Sequence, residues 1–291
     1  MSEYVIVTDS SCDLNQDMVD QTGVEVLPLS FTIRGTTLKN YPDDRDMKAQ
    51  EFYQLMAEGE VATTAAVNVH QYEAFLTPVL ERGKDALILA FSSGLSATCQ
   101  AARLAAGELA EQFPERKILV VDTLCASLGQ GLLVWYAAEK QKAGASIEEV
   151  RDWCEETKLH LCHWFTVDDL HYLKRGGRIS AATAVVGTML QIKPVLHMDD
   201  EGRLVNVSKA RGRKASLDAM VKKVGEKGID PAGQTRMLIS HSACEEDARY
   251  VAEQIKAQYG VKEILLNQIG PVIGAHTGPG CVALFFLGTA R

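Results

Sequence analysis

The chain predicts an α/β fold, in which an N-terminal, mostly parallel sheet flanked by helices is joined to a second, α+β domain. Three observations carry that expectation. Short apolar runs alternate with helix-forming stretches through about residue 160, the rhythm of a doubly wound sheet. Beyond residue 162 the rhythm changes: Pro194–Met198 and Arg203–Ser208 flank Asp199-Asp200-Glu201-Gly202 and read as a β-hairpin. Finally, 291 residues exceed what one hydrophobic core ordinarily holds, so a division into residues 1–161 and 162–291 is expected.

Taken in order, Tyr4–Thr8 is a short apolar strand, and Asp13 is placed to cap a helix through about Thr22. Val24–Ile33 is rich in β formers, Arg34-Gly35 makes a turn, and Thr36–Lys39 returns. Asp46–Gly59 carries Met47, Phe52, Leu55 and Met56 at helical spacing, so residues 31–60 read as a small insertion packed on the first sheet. Val61–Val67 is a small, hydroxylated loop. Asn68 then opens a helix with Gln71 at capping-box spacing, and Pro78 is expected to end or kink it. Ala86–Phe91 has the bulk of a buried strand, and Ala97–Ala110 that of a helix. A strand Ile118–Val121, a helix Leu128–Ala143 closed by Gly144, and a helix opened by the Ser146/Glu149 capping box complete the first half.

In the second half Trp164–Val167 is a strand and Asp168–Arg175 a helix stopped by Gly176-Gly177. Ser180 caps a predicted helix Ala181–Gln191, and the hairpin follows. Helices at Ala215–Lys227 and Glu245–Tyr259 alternate with strands Met237–Ser240 and Glu263–Gln268. The segment Gly270–Gly280 reads as a loop before a last strand, Cys281–Leu287.

Composition narrows the function. A hydrophobic share of 46% and a charged share of 23% are those of an ordinary soluble protein. No apolar run approaches about 18 residues, and MSEYVIVTDSS lacks the basic and apolar regions of an export signal. The expectation is a cytoplasmic protein with no integral membrane segment. Seven cysteines without a C-x-x-C fit reduced, buried thiols. A net charge of −8 argues against general nucleic-acid binding, which needs a positive face.

Three stretches are candidate site segments. The turn Ser92-Ser93-Gly94-Leu95-Ser96 lies between strand and helix, where free N–H groups and hydroxyls favour an anionic or strongly polar head; its plainer role is to cap the helix. Val61–Val67 is the second. The third, Ile269–Gly280, packs four glycines, two prolines and one histidine, His276, into twelve residues. Its glycines let the backbone approach a ligand whose head His276 could bond, unless that imidazole merely serves a carbonyl.

SSGLSATCQAA (92–102), FTVDDLHYLKRGGRIS (165–180), IKPVL (192–196), IGPVIGAHTGPG (269–280) and the TDSSCDL start (8–14) together resemble the DegV family of bacterial lipid-binding proteins, in order and across essentially the whole chain. The resemblance implies a carrier, not an enzyme, that holds one long-chain fatty acid between two domains without a further cofactor. It also implies presentation of the acid to a separate ATP-dependent fatty acid kinase, with the acyl phosphate passing to phospholipid synthesis. Residue by residue it places the carboxylate on Thr63, Ser93 and His276, with Thr64, Ser92, Gly94, Arg178 and Thr277 as further ligand-binding candidates. Arg211 and Arg213 fall where the family docks its kinase. The family's Thr-Ser-Gln-Pro is Thr63-Thr64-Ala65-Ala66 here, and its Ser-Gly-Thr-Tyr is Ser96-Ala97-Thr98-Cys99, departures that bear on pocket shape and chain preference. Phe31–Ile33, Val185–Ile192 and Cys281–Phe286 are the candidate tunnel walls. About fifteen buried methylenes at roughly 0.8 kcal/mol each outweigh any single head-group bond, so the tail supplies affinity and the polar groups supply orientation.

Rival readings are weaker. A lipid-binding regulator or transport protein would need no kinase. Gly94-Leu95-Ser96 opens like the nucleophile elbow of a serine hydrolase, but the motif fails at Thr98. His160, Cys162, His163 and His171 match no zinc spacing, and no P-loop occurs to support phosphoryl transfer by the chain itself. The basic run Arg203–Lys214 is either a solvated sheet edge or a docking surface for an acidic partner.

Overall fold

In the computed structural model, which describes residues 3–180 and 192–291, strands β1 (Tyr4–Asp9), β2 (Glu25–Leu27), β6 (Asp85–Ala90) and β7 (Ile118–Asp122) form a wholly parallel sheet. Its order is β2-β1-β6-β7. The apolar run of β6 is buried on both faces, because strand alternation sends Leu87 and Leu89 to one core and Ala86, Ile88 and Ala90 to the other. Helices α3 (Val69–Glu81) and α4 (Thr98–Gln112) cover the second core.

Helix α5 (Ser127–Lys142) is buried at every position through Ala138 except Tyr136, mostly with apolar side chains, so it is enclosed on nearly all sides. It lies between the first sheet and a larger one, and its Leu128, Leu132 and Leu133 share a core with Ile6 and Leu87 on one side and Phe165, Leu238 and Phe285 on the other. That second sheet has the order β10-β9-β8-β13-β11-β12. Its strands are β8 (Leu161–Thr166), β9 (Ile192–Met198), β10 (Leu204–Arg211), β11 (Met237–His241), β12 (Ile264–Gln268) and β13 (Val282–Leu287). Only the β11–β12 pair is parallel. Two helices, α8 (Arg213–Lys227) and α9 (Glu245–Tyr259), close its far face.

The insertion is a third, three-stranded sheet, ordered β4 (Thr36–Lys39), β3 (Ser30–Ile33), β5 (Thr63–Ala65), with α2 (Ala49–Ala57) against it. Phe31 of β3 meets Phe52 of α2 edge to face, with ring centroids 5.6 Å apart. The remaining α-helices among the described residues are α1 (Gln16–Thr22), α6 (Ile147–Thr157), α7 (His171–Arg175) and α10 (Pro271–Thr277).

Several expectations change. The segment Val61–Val67 is not all loop, since β5 lies within it. Gly270–Gly280 contains α10, which Pro271 starts at the position where its missing N–H costs nothing and Gly278 stops at φ +70°. Pro78 sits inside α3, which runs on to Glu81; Ala74, whose carbonyl loses its helical donor, is exposed and can be solvated. Asn15, not Asp13, caps α1 by accepting from the Met18 N–H at 2.9 Å. Asp13 is instead buried in the left-handed region (φ 52°), its carboxylate accepting from Ser127 Oγ and, at 2.9 Å, from the Gly270 N–H. The predicted helix Ala181–Gln191 and most of the tunnel candidate Val185–Ile192 lie outside the described residues.

Candidate functional site

In an open parallel sheet, ligands bind beyond the carboxyl ends of the strands, where neighbouring connections diverge to opposite faces. Here that crevice faces the inner side of the second sheet across a cavity that is partly open to solvent. The first sheet contributes Phe91, Leu95, Ser96, Ala126 and Ser127 from the loops after β6 and β7. Alternation on β13 turns Cys281, Ala283 and Phe285 toward the cavity, and Val282, Leu284 and Phe286 into the core beneath α8 and α9. Of the candidate walls, Cys281–Phe286 therefore contributes alternate residues, while Phe31 and Ile33 are plain core and Ile192 does not line the cavity.

Most polar atoms on this wall are already spent. Ser127 donates to Asp13, and Ser96 Oγ lies 2.9 Å from Thr98 Oγ1. His163 is neutral, held well below the usual histidine range chiefly by burial; its Nδ1 faces the Leu161 carbonyl at 3.0 Å and its Nε2 accepts from the Ala126 N–H at 3.4 Å.

One cluster on the lining differs. β5 presents Thr64, α10 presents His276, and the turn after α7 presents Arg178. His276 Nε2 and Thr64 Oγ1 are 2.8 Å apart, whereas the buried Nδ1 has no partner among the described residues. Burial first, then the nearby guanidiniums of Arg178 and Arg175, push the His276 pKa down to about 4, so the ring is neutral near pH 7. With no acceptor at Nδ1, the proton belongs on Nε2, donated to Thr64 Oγ1, which leaves the threonine's own O–H free for an acceptor in the cavity. The ring is seated over Gly176, where a Cβ would lie 2.1 Å from Nδ1. On the other side of α10, a Cβ at Gly274 would lie 2.4 Å from the Tyr53 hydroxyl. Arg178 is half-buried, spends one N–H on the Gly176 carbonyl and makes no ion pair among the described residues. The surface ion pair that its type ordinarily makes is absent there; a desolvated cation faces the cavity instead.

The structure separates the other sequence candidates from this cluster. Thr63 is exposed and does not line the cavity; β5 pairs Thr64 with buried Phe31 and Thr63 with Thr32, so alternation turns the neighbouring residue inward. Ser93 is exposed and also off the lining. The anion-binding character of its turn is satisfied internally: the Ser93 and Leu124 N–H groups donate to the Asp122 carboxylate at 3.1 and 3.2 Å. Ser92 Oγ–H donates to the Gly202 carbonyl at 2.8 Å, and Gly94 lies against the same hairpin turn. Ser92 and Gly94 thus join the two sheets' loops and leave nothing for a ligand head. Thr277 lines the cavity, but its hydroxyl donates back to Ile273 O at 3.3 Å.

The basic run is mostly neutralised. Arg213 is paired with Asp247 at 2.8 Å and Asp168 at 3.7 Å, Lys214 with Asp218 at 3.3 Å, and Arg203 with Glu201. Arg213 is therefore a half-buried structural cation, whereas Arg211 is exposed at the end of the edge strand β10. His160, Cys162, His163 and His171 diverge; His163 faces the cavity and Cys162 the opposite core, and no group of three metal-ligating side chains converges among the described residues. Nor is any described helix long and apolar enough to cross a membrane.

A profile described as an uncharacterised protein of the DegV family matches residues 3–289. A DegV domain-containing protein of Clostridium perfringens is 44% identical over 293 aligned positions, covering 100% of this chain and 99% of that one. Among solved structures, a DegV family protein from Thermus thermophilus described for its fatty acid binding superposes with a TM-score of 0.86 at 33% identity, covering 99% of this chain and 100% of that one. DegV of Bacillus subtilis, described as a fatty acid binding protein, superposes with a TM-score of 0.85 at 29% identity, covering 99% and 100%.

Proposed function

As the chain belongs to the DegV family, we propose that it is a carrier that holds one long-chain fatty acid in this cavity, carboxylate toward Thr64, His276 and Arg178. The observation that carries the reading is Arg178, a half-buried cation without a described acidic partner, in a lining that also holds the Thr64 hydroxyl, free to donate, and is otherwise spent or apolar. A carboxylate there receives the Thr64 O–H and the guanidinium fork, while the neutral imidazole fixes the threonine rotor. Thr63 and Ser93 are exposed and outside the lining.

The division of labour follows from magnitudes. The buried tail contributes on the order of 0.8 kcal/mol per methylene, and a bond to the charged head about 1.5–3 kcal/mol. The polar cluster therefore orients the acid while the wall retains it. In this reading the residues before and after about position 161 form two cytoplasmic lobes around the ligand. The head group is presented to a separate ATP-dependent kinase for acyl-phosphate formation, with Arg211 the exposed cation near that approach. In this reading the partner kinase supplies the chemistry, and Ser96 Oγ is engaged with Thr98 Oγ1 at 2.9 Å.

The test is mass spectrometry of lipid extracted from the purified protein, wild type and Arg178→Ala. Stoichiometric long-chain acid in the wild type, reduced about tenfold or more in the variant, is expected. A wild type that carries no acid and takes none up would end the reading.

A further inference from the structure

Three cross-strand rows line the second sheet's side of the cavity, starting with Cys281 and continuing with Ala283 and Phe165. In the third row Phe285 lies opposite His163, and Met198 opposite Leu204; the Trp164–His197 pair sets His163 beside Met198. Cys281 follows α10, the helix that carries His276, within a few residues, and Phe285 lies about 14 Å farther along the strand. Met198 and Leu204 end β9 and begin β10, on either side of the hairpin turn 199–203.

That turn is rigid and locked down. Asp199 Oδ1 accepts from the N–H groups of Glu201 and Arg203 at 3.0 and 2.8 Å. Its Gly202 carbonyl accepts from the fully buried Ser92 hydroxyl at 2.8 Å, and its Asp199 carbonyl accepts from Arg291 Nη1 at 3.0 Å. The contact is close on both sides: a Cβ on Gly94 would lie 2.6 Å from the Glu201 and Gly202 carbonyl oxygens, and one on Gly202 would lie 3.1 Å from Leu124 Cα.

Resting on the fatty-acid reading, we propose that the β9–β10 turn is the end-stop of the acyl slot, with Met198 and Leu204 as its chain-length-determining residues and Ser92 as the positioning residue that holds the turn in place. A longer chain has to push these two side chains and their turn away from the first lobe. The turn yields only by breaking a buried hydrogen bond and opening a contact that glycine alone allows. Chain length is then set by a junction between lobes, far from the head group.

The full-length protein is stripped, equilibrated with an equimolar mixture of straight-chain saturated acids of graded length, and read by native mass spectrometry. Leu204→Ala and Met198→Ala should enrich acids two to three carbons longer than the wild-type optimum by about tenfold, because the heavy atoms removed make room for that many methylenes. Ser92→Ala should broaden the distribution toward longer chains, with exposed Ser208→Ala as the control. Thermal unfolding confirms that each variant is folded, and if Ser92→Ala is not, the Met198 and Leu204 variants decide. An unchanged length distribution in Leu204→Ala and Met198→Ala overturns the end-stop. A wild type that takes up no acid of any length refutes the fatty-acid reading itself.

Discussion

Thr64 and Thr63 are neighbours on β5, and the roles assigned to them differ because alternation turns only one of them inward. Thr64→Val keeps the β-branched shape and removes the hydroxyl that faces His276 Nε2 at 2.8 Å. A bound carboxylate loses one hydrogen bond to a charged acceptor, about 1.5–3 kcal/mol, so Kd should rise about 10- to 140-fold. The imidazole Nε2–H loses its partner whether or not a ligand is bound, so a further loss of about 1–3 kcal/mol appears in stability and not in affinity. Thr63→Val, on the exposed side opposite Thr32, should stay within about 0.5 kcal/mol in both measurements. Displacement of a fluorescent long-chain acid gives the Kd, and denaturant unfolding of the ligand-free protein gives the stability. The reasoning fails if Thr63→Val weakens binding as much as Thr64→Val, or if Thr64→Val leaves Kd within about twofold.

Two further outcomes follow from the seat of the histidine. His276 titrates near 6.5 when unfolded and about 4 when folded, so the unfolded chain takes up the proton first as pH falls. Its contribution is complete above pH 6.5 and is lost toward pH 4, by up to about 3 kcal/mol. Burial raises the Asp13 pKa to about 7, giving the opposite slope over an overlapping window, so the quantity to measure is the stability difference between wild type and His276→Gln across pH; a flat difference contradicts the account. Gly176→Ala puts a methyl 2.1 Å from His276 Nδ1 and should cost about 1–3 kcal/mol, most of it recovered in the Gly176→Ala, His276→Ala double variant. Strictly additive losses would show that the two positions do not meet.

The amino-acid sequence determined whatever depends on near neighbours along the chain. Short continuous apolar runs placed β6 and β7, helix-forming stretches placed α4 and α5, the capping boxes at Asn68/Gln71 and Ser146/Glu149 opened their helices with both bonds made, and the acidic turn 199–202 closed a hairpin. The ordered motifs identified the family. Sequence also brought His276, Arg178 and Thr64 into consideration, yet ranked Thr63 and Ser93 above Thr64. Seen as a strand that pairs Thr64 with buried Phe31, residues 63–65 set Thr64, not Thr63, against His276; read as a loop they carry no face. A glycine-dense segment hid α10 because Gly274 and Gly278 looked like breakers, whereas close packing on Tyr53 and a helix stop require them.

Only the tertiary structure decided which polar groups remain free. Ser92 spends its hydroxyl on Gly202, 110 residues away, and Thr64 meets His276 across 212 residues. A hydroxyl's local surroundings say that it must be paired once buried, but its partner is set by which distant segment the packing brings against it.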